Sequence, residues 1–204
     1  MPEHEPNLRV RRGRGRRPAD EVRAEILAAA GALLLNEGMG TFTIEGVADE
    51  AGVSKTTIYK WWPSKGALAL DGYFHAVEST LTFPDSGDIE ADLTSQIRAF
   101  VHLLTRTPAG RVIAELIGQA QTDPDLSAAL LERYSGPRRA LAVEAMRRGQ
   151  SRGQLRPDID PEVLIDQLWG ACYHRLLLPN QPITDDFAVS LVANLLRGVG
   201  PGTG

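Results

Sequence analysis

A chain of 204 residues with 43% hydrophobic content can bury one large core or two small ones without disulfide staples. The composition excludes a collagen, a coiled-coil rod and a wholly disordered chain, and the single cysteine, Cys172, excludes an internal disulfide and a thiolate cage for zinc. Net charge is −4, yet the cations are gathered: the three lysines are Lys55, Lys60 and Lys65, and six of the 19 arginines fall between Arg9 and Arg17.

Residues 1–18 hold prolines, glycines and arginines with little large aliphatic content beyond Leu8 and Val10, and read as a flexible basic arm. The apolar run at 26–35 after those arginines superficially resembles a secretory signal. Asp20, Glu21 and Glu25 interrupt the pattern, no small-residue cleavage site follows, and ten apolar residues fall short of the roughly 20 that cross a bilayer. A soluble, cytoplasmic chain is expected, with no membrane partner.

A helical period begins at Ala19, with Val22, Ile26, Ala29, Ala30 and Leu33 on one face and Gly38 placed as a left-handed cap. Thr43 is suited to cap a short second helix through Ile44, Val47 and Ala48, which ends before a turn at Gly52. Val53 fits the angle between two helices. Ser54 then opens a third helix over about 55–61, stopped by Pro63, and Ser64 opens a fourth from Lys65 to about residue 81. Residues 83–88 read as a linker. Further helices are expected at about 89–106, 109–121, 124–152 with a disturbance at Gly136-Pro137, 161–178 and 184–197, with Asp123, Asp160 and Thr184 as caps and Pro124 and Pro161 at the first helical position. Neither an alternating strand pattern nor an internal repeat is present, so the fold is read as all-α with about nine helices. The division is a basic arm at 1–18, a head at 19–66, a connecting helix and linker at 67–84, and a helical body at 85–200.

Residues 43–65 carry the functional signal. Two short helices joined by a glycine turn, the second crowded with hydroxyls and cations, match what reading a DNA major groove about 12 Å wide requires. Lys55, Thr56, Thr57, Tyr59 and Lys60 supply donors and acceptors on that second helix.

The segments Gly38 to Phe42 leading into Thr43-Ile44, Val47-Ala48-Asp49-Glu50-Ala51-Gly52-Val53-Ser54, and Ile58-Tyr59-Lys60-Trp61-Trp62-Pro63-Ser64-Lys65 followed by Leu68 resemble the tetracycline-repressor (TetR) family of bacterial transcription regulators. The resemblance covers residues 19 to about 70; beyond 85 only helical character and length agree. It implies a homodimer on a near-palindromic double-stranded operator, most often a repressor released by a small-molecule effector. It implies further that Thr43 and Lys65 hold phosphates, that Tyr59 and Trp61 contact backbone or thymine methyls, and that Lys55, Thr56, Thr57 and Lys60 face bases or phosphates. Trp61-Trp62 departs from the family's usual His or Tyr followed by Phe; Trp62 is expected in the core among helices one, three and four.

In the arm, Arg14-Gly15-Arg16 resembles the core of a minor-groove hook, in which glycine permits close approach to a narrow A·T-rich groove. A nonspecific cationic tail that only raises affinity is the other reading. Residues 1–70 carry 10 cations and 9 anions whereas residues 71–204 carry 12 and 17, so the acidic body should stay off DNA.

In the body, Trp169, Tyr173 and Leu176 share a helix face that Phe100, Leu104, Ile113, Ile117 and Met146 can oppose, with Tyr173, His102 or Gln121 as polar handles for an apolar or aromatic effector. Leu164, Leu168 and Ala171 on one late helix and Phe187, Leu191 and Leu195 on the last are candidates for a four-helix dimer interface. No catalytic residues, cofactor or metal site are expected. His4, His75, His102 and His174 form no metal-ligand pair, no nucleophile or phosphate-loop motif occurs, and Cys172 and His174 point to different sides of a helix. The alternatives are a helical small-molecule-binding protein or enzyme with a vestigial DNA-binding head, and a DNA-binding dimer without a ligand.

Overall fold

A computed structural model describes residues 18–199, and every regular element among the described residues is a helix, with no strand. The helices are α1 (Ala19–Glu37), α2 (Ile44–Ala51), α3 (Lys55–Tyr59), α4 (Lys65–Val77), α5 (Ile89–Arg106), α6 (Ala109–Ala120), α7 (Pro124–Ala129), α8 (Gly136–Ser151), α9 (Pro161–Leu177) and α10 (Asp185–Val199). A 3₁₀ turn, Glu78–Leu81, extends α4, and a π turn, Leu130–Ser135, joins α7 to α8. Because α7, the π turn and α8 follow without a break, they are the one long helix with a disturbance expected at 124–152, and the path among the described residues traces nine rods. Pro137 has no N–H to return to the carbonyl four residues back, so the ladder slips its register ahead of it.

Side-chain caps fix the starts of the helices. Thr43 accepts from the Gly46 N–H at 3.0 Å, Ser54 from Thr57 at 3.2 Å and Ser64 from Ala67 at 3.1 Å. Asp88, Asp123, Asp160 and Thr184 do the same for α5, α7, α9 and α10. Each satisfies N–H groups that a helix leaves without an internal partner. Gly52 has the left-handed φ of 63° that its turn needs. Gly38 also has positive φ, 82°, but its ψ of 176° is extended, so it turns the chain without being the left-handed cap expected.

In α1 the buried residues are Ile26, Ala29, Ala30, Gly31 and Leu34; Leu33, expected on that face, is half-buried and Leu34 takes its place. This stripe packs on α4, where Gly31 and Gly72 let the two backbones approach closely. One hydrophobic cluster runs from the head through α4 into the body. The N-terminal part of α4 belongs to the head, and its remainder packs on α6, α7 and the π turn. In the body α5 is the central rod, touching α6, α8, α9 and α10. No helix among the described residues is long and apolar enough to cross a membrane.

Candidate functional site

In the head, Ile58 is fully buried and anchors α3, which leaves Lys55, Thr56, Tyr59 and Lys60 exposed. Thr57 is half-buried, and its hydroxyl is 2.9 Å from that of Ser54, so it belongs in part to the cap. Thr43 and Lys65 are exposed at the starts of α2 and α4. Thr43, Lys55, Thr57 and Lys65 therefore lie at the starts of α2, α3 and α4, where N–H groups and the positive end of the peptide dipoles favour an anion, while Lys60 caps the C-terminal end of α3.

The helix α3 ends at Tyr59, two residues before the expected stop, and both tryptophans lie beyond it, with the N–H groups of Trp61 and Trp62 bonded to the Ile58 carbonyl at 3.0 Å. Trp62 is fully buried and donates its indole N–H to Asp71 Oδ2 at 2.7 Å, while Arg23 of α1 lies over its ring. Trp61 is half-buried in a cleft with Arg23, Leu27, Phe74 and Arg133. Its ring belongs to the junction of head and body.

Lys55 donates from Nζ to Glu45 Oε1 at 2.7 Å. The hydrogen bond and the charge hold the Glu45 carboxyl below its usual range and the Lys55 ammonium above its own. Both groups are exposed, so the pair contributes little to stability. Arg14 and Arg16 lie outside the described residues.

In the body a cavity of about 220 Å³ opens between α5, the π turn, α8 and α9. Phe83, Phe100, Trp169 and Tyr173 give it aromatic walls, and Gln96, Tyr134 and Arg138 polar ones. The Tyr134 and Tyr173 hydroxyls are 3.1 Å apart, and Phe100 meets the Tyr173 ring edge to face. Burial pushes the Tyr173 phenol well above its ordinary value, so it stays protonated. Arg139 at the rim is bound to Glu162 and, at 2.6 Å, to Asp166.

Of the expected cavity residues, Phe100, Trp169 and Tyr173 line this space. Leu104, Ile113, Ile117 and Met146 do not: Leu104, Ile113 and Met146 are buried in the core, and Ile117 packs against it. The reason is geometric, because helical spacing tells which residues share a face but not which neighbour that face meets. His102 lies in a shallow groove with Thr105 and Thr184, and Gln121 donates to the carbonyl of Ile117, so neither is a handle for this cavity. Gln96, Tyr134 and Arg138 were missed by spacing; the one signal near them was the Gly136-Pro137 disturbance, since π turns gather at functional positions.

At the expected dimer face, Leu164 and Leu168 are 2% and 0% exposed within the single chain, which corrects their placement at a surface. That side of α9 packs inward on α8 and α5, so its opposite side faces out, with Val163, Leu177 and Leu178 exposed. Ala171, Phe187, Leu191 and Leu195 are half-buried.

Residues 26–71 match the model of bacterial regulatory proteins of the tetR family, and residues 83–195 match the tetracyclin repressor-like C-terminal domain. The chain is 37% identical over 184 residues to the uncharacterized HTH-type transcriptional regulator YdeS of Bacillus subtilis (strain 168), covering 90% of this chain and 92% of YdeS. It is 28% identical to the DNA-binding transcriptional repressor TetR of Mycobacteroides abscessus, over 85% of this chain and 90% of that one. The crystal structure of the TetR family transcription regulator SCO0332 superposes with a TM-score of 0.83 at 64% identity, covering 89% of this chain and 100% of that one. With an exposed α3 seated on a buried Ile58 and both halves of the chain matched, this protein belongs to the tetR family of bacterial regulatory proteins and is a DNA-binding transcriptional regulator.

Proposed function

We propose that the protein is a homodimeric repressor that binds a near-palindromic operator and leaves it when a small molecule fills the body cavity. Lys55, Thr56, Tyr59 and Lys60 of α3 enter the major groove, where they meet base edges and the phosphates that line it, Thr57 steadies that helix through its cap, and Thr43 and Lys65 hold flanking phosphates. Arg14 and Arg16 of the arm add contacts to the minor groove or the backbone. Phosphate contacts set position, and base contacts set sequence. The subunits join through the outer faces of α9 and α10, where Val163, Leu177 and Val189 leave apolar area uncovered, flanked by Ala171, Phe187, Leu191 and Leu195.

One observation carries the link between ligand and DNA. Asp71 on α4 accepts from Trp62, three residues past α3, and from Arg133, which neighbours the cavity residue Tyr134 on the π turn. A ligand against Tyr134 biases the π turn, and Asp71 passes the displacement to the head. Effector binding thereby favours a body conformation in which α4 sets the two recognition helices at a spacing unequal to the about 34 Å between successive major grooves.

Selection of bound sequences from a random DNA pool with the full chain tests this reading. An enriched inverted repeat, protected over two successive major grooves, is the expected result. Recovery of no motif, or of a motif without two-fold symmetry, refutes it.

A further inference from the structure

Two arginines, Arg138 and Arg139, and one carboxylate, Asp166, line the cavity. Asp166, the carboxylate that lines it, is taken by Arg139, which also holds Glu162. Arg138 has no ion pair among the described residues. Its Nε is buried without a hydrogen-bond acceptor, and its guanidinium lies 5.1 Å from the centre of the Phe74 ring and 5.0 Å from that of Tyr134. Ring faces attract a cation but offer no lone pair in line with its N–H groups. A buried charged donor without an acceptor is unfavourable, and a ligand that brings an acceptor relieves it.

The rest of the cavity narrows what that ligand is. Phe83, Phe100, Trp169 and Tyr173 present ring faces and edges, which suit a planar apolar body. A volume of about 220 Å³ fits one or two rings. Of the hydroxyls of Tyr134 and Tyr173, 3.1 Å apart, one hydrogen is used between them, and the second can donate to an incoming anion or to the buried Tyr73 hydroxyl beside Tyr134. A guanidinium is a planar fork that matches a carboxylate in a bidentate way.

We infer that the cavity takes a small aromatic acid, its rings among Phe83, Phe100 and Trp169 and its carboxylate on Arg138. This rests on the reading of the cavity as the effector site, and adds to it the chemical class of the effector.

Calorimetric titration of the full chain with 2-naphthoate and with its uncharged isostere 2-naphthamide tests the class directly. The acid is expected to bind tighter than the amide by about tenfold or more. Arg138→Met should bring the acid to the affinity of the amide, and Arg138→Lys should keep part of the preference. Equal affinities in the unaltered protein, or a preference for the acid that survives Arg138→Met, overturn the inference while leaving the effector reading in place. Failure of both compounds to bind at millimolar concentration overturns the inference together with the reading of this cavity as a site for aromatic effectors. The comparison in the unaltered chain needs no variant to fold.

Discussion

Arg133 on the π turn donates to Asp71 on α4 at 2.8 Å, on the same carboxylate oxygen that receives the indole N–H of Trp62 at 2.7 Å. One side chain thus joins the wall of the cavity to the base of the recognition helix. The Asp71 side chain is only 14% exposed and Trp62 is fully buried, so the indole has little water to turn to, whereas Arg133 is 41% exposed. Such a shared carboxylate makes the positions of the two halves interdependent.

Asp71→Ala is expected to lower stability by about 1–3 kcal/mol, because the buried Trp62 N–H is left without an acceptor. Asp71→Asn keeps a carbonyl for the indole but meets Arg133 with a neutral group, and should cost less. Urea denaturation of the three proteins orders them. Wild-type stability in the alanine variant would show that the indole finds another acceptor.

In the proposed complex the pairing of Glu45 with Lys55 competes with DNA. A phosphate must displace the carboxylate from the Lys55 ammonium, and the carboxylate then repels it. Glu45→Gln should therefore tighten binding to DNA of any sequence, most at low salt. Lys55→Ala, which removes the cation itself, should weaken binding and lower the slope of log affinity against log salt by about one. Titrations across salt concentrations separate the two effects. An unchanged slope in Lys55→Ala would take Lys55 out of the phosphate contacts.

The head was legible in the sequence because its signals are local. Thr43, Ser54 and Ser64 cap the helices that they precede, Gly52 turns, and Pro63 stops, each within four residues of its effect. Trp62 is buried as its sequence position implies, since an indole beside Pro63 and two apolar helices has nowhere better to go. The body was less legible. Which faces of α5, α6 and α8 meet depends on packing between helices distant in sequence, so helical spacing points Met146 and Ile113 at a cavity that they do not line. The break at Gly136-Pro137 marked the place, but only the fold reveals that it turns Tyr134 and Arg138 inward.

Burial raises the thiol of Cys172 to about 12, and the side chain is fully covered. Both factors remove the reactive thiolate, the first by chemistry and the second by access. A thiol reagent at pH 8 should leave the folded protein unmodified for as long as it stays folded, and react at once in denaturant. The labelling rate then reports opening of the body around α9. Prompt labelling of the native chain would mean that α9 opens readily.

The crossing of α1 and α4 leaves no room for a methyl group. A Cβ added at Gly72 would lie 2.7 Å from the Cβ of Ala30 and 3.0 Å from the nitrogen of Gly31, and one added at Gly31 would lie 2.7 Å from the Gly72 carbonyl oxygen. These partners are backbone or directly attached to it, so relief requires the helices to part. Gly72→Ala should cost about 1–3 kcal/mol, the range of an overpacked core. Because α4 carries Asp71 beside Gly72, the same shift should move the anchor of Trp62 and weaken operator binding beyond what partial unfolding explains. Binding measured well below the melting temperature, with the fraction folded known from circular dichroism, distinguishes the two. Normal affinity per folded molecule in Gly72→Ala would show that α4 can leave α1 without moving the recognition helix.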